Sequence, residues 1–374
     1  MKYTGWVAVV IALGLATAGA HAIGWRKDSN DLTVINKRLR GHIDDYTANH
    51  GQDRRIWSRS MYQRRDLYVY TPPNFNPCQR YPLMIWLHGF AQDEQSFVQD
   101  VVPFLDEAIC SGKLPPFIAV APDGSFVGEP CGCSPGSFFL NSKAGDYEDF
   151  VLQDVWDFVC KHYPIRPERC AHMLAGVSMG GFAAFNYGIK YKNAFGIVIG
   201  IYPPLNLRWC NKAGHYFANF DPHDWGWRQE FKHGSEVVAR FYGGLVNLHM
   251  KQMIDPVFGR SDDALIEVMR ENPIEMVDRF GLRDGELEMY VAYGGKDEFN
   301  IDAQVESFLY LAKCRGITVG VGYDKGGHHC LATAQRLIPG IIDWLGPRLA
   351  PYSIPCCVEC PPCAACTDDS CSRR

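Results

Sequence analysis

From Arg64 onward the chain alternates short, nearly continuous apolar runs with longer amphipathic stretches. The runs are DLYVYTP (66–72), YPLMIWLHG (81–89), PFIAVAPDG (116–124), AHMLAGVS (171–178), FGIVIGIYP (195–203), ELEMYVAYGG (286–295) and GITVGVGYD (316–324). Unbroken apolar runs, as opposed to strict alternation, predict parallel strands covered on both faces. Between them, residues 147–163 put Phe150, Val151, Val155, Phe158 and Val159 on one helical face, and 179–191, 303–314 and 331–345 read as further helices. Alternating β and α units predict an α/β fold with a mostly parallel central sheet and helices on both faces. The rhythm breaks once, where about 85 residues separate the strand ending near Gly200 from the one starting near Glu286. A gap that long predicts a structured insertion, a cap over about 203–285. The expected organisation is a polar leader at 23–63, a body at 64–346 carrying the cap, and a tail at 347–374.

Composition narrows the picture. The chain has 374 residues, 47% hydrophobic and 21% charged, with a net charge of −5. That balance excludes global disorder, and the absence of a long basic block argues against a nucleic-acid partner. Residues 1–22 have the form of an export signal: Lys2, an apolar stretch from Val7 to Ala20, and the A-x-A site Ala20-His21-Ala22. No later stretch is long and apolar enough to span a bilayer, so no stable membrane span is expected after cleavage. The expected location is periplasmic or extracellular. Export into an oxidising compartment gives the 15 cysteines a context. Six of them crowd CCVECPPCAACTDDSC at the C-terminus. Their spacing is compatible with a metal site, but the interleaved prolines and the lack of histidine favour a disulfide-bonded or disordered tail, with a disulfide-linked partner as one outcome.

One motif carries chemistry. Gly176-Val177-Ser178-Met179-Gly180 follows an apolar strand and opens a small-residue helix. In that context G-x-S-x-G is a sharp strand-to-helix turn that exposes a serine nucleophile. Such a serine needs a base, and the base needs an acid to orient it. Both follow in the order acid, then histidine. Gly294-Gly295-Lys296-Asp297 ends one strand, and Gly326-Gly327-His328-His329 follows the next. Asp297, directly after the turn, ranks ahead of Glu298 as the acid; His328, directly after the glycine pair, ranks ahead of His329 as the base. Two N–H donors for an oxyanion are expected from Met179 and from Phe90, in the turn His88-Gly89-Phe90.

The set LHGF, PDG, GVSMGG, YGGKDE and GGHH resembles the α/β-hydrolase superfamily. Within it, the chain is most similar to the putative esterase family, which contains feruloyl-esterase-like, esterase D-like and enterochelin-esterase-like members. The likeness covers about residues 64–346. It implies an α/β-hydrolase fold and a serine carboxylesterase needing no cofactor, which with the export signal would act outside the cytoplasm on a small-molecule or carbohydrate-linked ester such as an acetyl or feruloyl ester. It also implies that Asp123 and Gly124 of the PDG loop lie beside the pocket. The leader, cap and Cys-rich tail depart from the family, and the cap leaves the substrate open.

The cap holds ten aromatic residues between Tyr202 and Tyr242. They form either pocket walls, with Trp225 or Trp227 facing the substrate, or the cap's own small core. The same motif order also suits an acyltransferase or a serine peptidase. A non-catalytic binding protein on this scaffold is a further reading, although such proteins usually lack one of the three residues filled here.

Overall fold

The computed structural model describes residues 32–126, 136–231, 234–260 and 263–353, and the backbone of 356–357. The expected export signal and most of the Cys-rich tail lie outside the described residues.

All seven apolar runs form strands of one eight-stranded sheet. In chain order its strands are β1 (His42–Tyr46), β2 (Leu67–Thr71), β3 (Leu83–Leu87), β4 (Ile118–Pro122), β5 (His172–Val177), β6 (Ile197–Ile201), β7 (Glu288–Gly294) and β8 (Gly320–Asp324). They lie in the order β1-β2-β4-β3-β5-β6-β7-β8. The β1–β2 and β2–β4 pairs are antiparallel and every other pair is parallel. Every residue of β2, β3, β4 and β6 is buried. Successive side chains point to opposite faces, so the sheet is covered on both sides, as the unbroken runs predict. The edge strand β8 alternates between half-buried and exposed.

β1 is the difference from expectation. Its sequence, HIDDY, comes from the segment read as a polar leader, yet it pairs along its whole length with β2. Ile43 and Asp45 point inward while His42 is exposed, which is the period-2 pattern of an edge strand.

Between β6 and β7 the chain leaves the sheet and builds the cap. It contains two small antiparallel pairs, Trp209–Cys210 with Gly226–Trp227 and Val237–Phe241 with Val246–His249. Short helices follow at Met250–Met253, Asp255–Phe258, Asp263–Glu271 and Pro273–Arg279. The cap carries a small apolar cluster, Val238, Ala239, Leu248, Met250 and Met253, separate from the main core. It is tied to the body just below the site: the Arg240 N–H donates to Glu298 O (2.9 Å), and the Tyr216 hydroxyl donates to Phe299 O (2.6 Å).

At the other end, Cys356 and Cys357 pair antiparallel with Arg80 and Gln79. Cys170 is disulfide-bonded, whereas Cys78, Cys110, Cys160, Cys210, Cys314 and Cys330 carry free thiols. No described helix is long and apolar enough to cross a membrane.

Candidate active site

Ser178 sits between β5 and the helix Met179–Lys190, with φ of 53° and ψ of −117°. A non-glycine residue held at positive φ is strained and persists where the surroundings over-determine it. Here they do. The Ser178 N–H donates to Ile201 O at 2.8 Å, and the turn is pressed against β3. A Cβ on Gly180 would lie 1.9 Å from Leu87 O, and one on Gly176 would lie 2.4 Å from the Gly180 backbone. Only glycines allow this approach. Ser178 does not use its side chain to cap the helix, so Oγ is free for other partners.

The acid and histidine loops meet because glycine again permits it. A Cβ on Gly294 would lie 2.3 Å from Gly327 O, and the Lys296 N–H donates to that same carbonyl at 2.9 Å. This contact brings Asp297 and the histidine pair together above β7 and β8. The ring that meets the serine is that of His329, not the expected His328. His329 Nε2 lies 2.9 Å from Ser178 Oγ, and His329 Nδ1 lies 2.8 Å from Asp297 Oδ2. A carboxylate only accepts, so Nδ1 carries the proton and Nε2 presents its lone pair to the serine hydroxyl. Asp297 Oδ1 accepts the Phe299 N–H at 2.8 Å, which fixes the carboxylate. The imidazole is also held between two rings, Tyr202 at 4.3 Å and Phe299 at 4.6 Å between centroids.

His328 faces the other way. Its side chain is 54% exposed, against 10% for His329. Its Nδ1 lies 2.8 Å from Glu298 Oε1, while Glu298 Oε2 accepts the His329 backbone N–H at 2.9 Å. Adjacent residues in an extended loop project in opposite directions, so one of the two histidines had to turn away. Of the two acids weighed, Asp297 is the carboxylate that meets His329 Nδ1, and Glu298 contacts the His328 ring and the His329 backbone N–H.

Met179 is the first residue of its helix, so its N–H has no intrahelical acceptor. Phe90 lines the cleft beside Ser178. Among the described residues neither N–H donates to a protein acceptor. Asp123 and Gly124, expected beside the pocket, lie beneath the turn and border neither cavity at Ser178. Gly124 N–H donates to His88 Nε2 at 2.8 Å, and buried Asp123 pairs with buried Arg65 at 2.8 Å. His88 Nδ1 in turn bonds Gly89 O at 2.9 Å. The PDG loop thus props the turn that carries Phe90.

Trp225 and Trp227 also lie away from Ser178. They pack on each other at 5.3 Å, Trp225 on Tyr310 at 6.3 Å, and Arg208 lies over Trp227 at 5.5 Å. Burying these rings against one another and the body is the core role weighed for the cap aromatics. The cap aromatics that do reach the large cleft are Phe217, Phe241 and Tyr242, beside Arg240, Gly243 and Leu248 and joined by Phe299 from the acid loop. Composition flagged the aromatic-rich cap, but nothing in it gave ring direction. Phe299, two residues past Asp297, was the one accessible by position. Among the described residues no cluster of His, Cys, Asp and Glu is arranged to hold a metal ion.

With this geometry in view, comparisons place the chain among known proteins. The family model described as "Putative esterase" matches residues 58–332. An endo-1,4-beta-xylanase/feruloyl esterase of Xylanibacter ruminicola is 27% identical over 157 residues, covering 40% of this chain and 21% of that protein. The chain spans less than half the length of the first curated relatives it matches. Among solved structures, a ferulic acid esterase superposes with a TM-score of 0.58 at 16% identity, covering 83% of this chain and 99% of that one. An S-formylglutathione hydrolase from Agrobacterium tumefaciens gives 0.55 at 15% identity, covering 83% and 96%. At these identities the superpositions establish a shared α/β-hydrolase fold.

Proposed function

Because the chain belongs to the putative esterase family, we propose that it hydrolyses carboxylic esters through Ser178, His329 and Asp297. The observation that carries this reading is the continuous path from Ser178 Oγ through His329 to Asp297, with contacts of 2.9 and 2.8 Å. Ser178 Oγ attacks the ester carbonyl while His329 Nε2 takes its proton. Asp297 holds the imidazole in the required tautomer and stabilises the imidazolium. The N–H groups of Met179 and Phe90 receive the oxyanion, and the helix N-terminus at Met179 favours the negative charge. His329 then protonates the leaving alcohol, and water repeats the sequence on the acyl-enzyme. Side chains, backbone N–H groups and water carry every step of this scheme.

Acetyl and feruloyl esters, free or carbohydrate-linked, are the substrates to assay first, and an exported enzyme would meet them outside the cytoplasm. The test is kinetic and chemical together. A fluorophosphonate should add once, on Ser178, and not to Ser178→Ala. His329→Ala should lower kcat by about 10⁶-fold, as removal of the triad histidine does. His328→Ala should keep kcat within a few-fold. If His328→Ala is the variant that abolishes turnover, the assignment of the base is wrong. If the folded protein takes no label, the serine-esterase reading fails.

A further inference from the structure

Two cavities meet at Ser178, and among their wall residues only Ser178 and Phe299 border both. One lies on the Met179 side, has a volume of about 50 Å³, and is walled by the cap through Phe231, Val238, Met250 and Met253. The other lies on the His329 side and has a volume of about 850 Å³.

The chemistry of the acyl-transfer step assigns one cavity to each half of the substrate. In the tetrahedral intermediate the central carbon carries Ser178 Oγ, the oxyanion, the leaving oxygen and the acyl substituent. The oxyanion points to the N–H donors. The leaving oxygen must lie within hydrogen-bond reach of His329 Nε2 to receive its proton. The alcohol half therefore departs over His329 into the large cleft. The acyl substituent takes the remaining direction, past Met179 into the small cavity.

The two volumes then set a size rule. A dry apolar cavity of about 150 Å³ accepts benzene, and one water-sized position needs about 10–15 Å³. A volume of 50 Å³ therefore holds roughly three to five non-hydrogen atoms. That is an acyl group of about two to four carbons, and an aromatic ring does not fit. Resting on the esterase reading above, we propose that this site selects esters of short, apolar acyl groups with bulky alcohols, and that Phe231 and Met253 of the cap impose the limit. The preference differs from that expected of an aryl-acyl esterase, whose bulk lies on the acyl side.

The test uses 4-nitrophenyl acetate, butyrate, octanoate and ferulate, which share one alcohol and differ only in the acyl group. Wild-type kcat/KM for octanoate and for ferulate should fall at least about thirtyfold below that for butyrate, within the range by which apolar pockets discriminate size. Met253→Ala should raise the octanoate-to-acetate ratio about tenfold or more. Phe231→Ala, at a half-buried position and so less demanding on folding, should move the ratio the same way. Wild-type turnover of ferulate or octanoate equal to that of butyrate overturns the proposal. So does an unchanged ratio in both folded variants. In those cases labelling of Ser178 and turnover of acetate would leave the esterase reading standing. No turnover of any ester and no label on Ser178 would defeat both readings together.

Discussion

His328 and His329 share a peptide bond and have opposite surroundings. His329 is wedged between Tyr202 and Phe299 with both ring nitrogens engaged, whereas His328 lies at the cleft rim against Glu298. Glu298 is the residue that makes the difference durable. One carboxylate oxygen accepts the His329 backbone N–H and the other meets the His328 ring. It touches no reacting atom, so its effect on turnover runs through the placement of His329. Glu298→Ala should therefore lower kcat about tenfold with KM within about twofold. Glu298→Gln, which keeps an acceptor oxygen, should recover most of that loss. Steady-state kinetics on a single ester check this, and a change confined to KM would remove Glu298 from the positioning role. Neighbours in sequence carried no signal to separate the two histidines, because GGHH reads the same whichever ring turns inward. The serine and the acid were legible because each follows a strand-ending glycine pattern tied to a backbone requirement.

The elements that position these residues depend on close backbone approach. The elbow between β5 and its helix works because Gly180 lies against Leu87 O of β3, leaving no room for a Cβ at 1.9 Å. A methyl there meets backbone, which cannot rotate away as a side chain would. Gly180→Ala should therefore lower Tm by several degrees or more and reduce the labelled fraction of Ser178. A thermal melt with fluorophosphonate labelling measures both, and an unchanged Tm would show that the turn can shift to accept it. The inner strands read as apolar runs because burial on both faces leaves no polar positions to break the pattern; the half-exposed edge strand β8 reads as one only through the small and apolar residues of GITVGVGYD. β1 is hard to read in the sequence for the complementary reason. As an edge strand rich in Asp and His, it shows only the weak alternation of HIDDY. The cap posed a third kind of problem. Its aromatic content was plain, but Trp225 packs between Tyr310 and Trp227, away from Ser178, while Phe217 and Phe241 turn toward the cleft.

Across the whole molecule, several carboxyl groups lie where water is scarce. Asp100 borders the large cleft, and burial pushes its carboxyl up from 3.8 to about 6. A carboxyl whose folded pKa is raised disfavours the charged folded state. The resulting destabilisation is absent below the ordinary value of 3.8, grows between 3.8 and about 6, and is complete above that. Asp100→Asn should therefore raise Tm at pH 8 and leave it unchanged near pH 3.5. Calorimetric melts at the two pH values test the sign, and a gain that is larger in acid would contradict it. Burial on this scale belongs to the assembled sheet, cap and helices, and no local sequence feature announces it.

The division between chain and fold follows from how far each interaction reaches. The sequence alone determined the α/β alternation, the serine elbow, the acid turn and the presence of an insertion, because each rests on hydrophobic period or glycine geometry within a few residues. The tertiary structure decided which histidine meets the serine, which cap aromatics wall the cleft, that the PDG loop props the turn carrying Phe90, and how space is shared on either side of Ser178. Those outcomes depend on side-chain direction and on contacts between segments up to 151 positions apart, as from Ser178 to His329. Only close packing in three dimensions fixes such contacts.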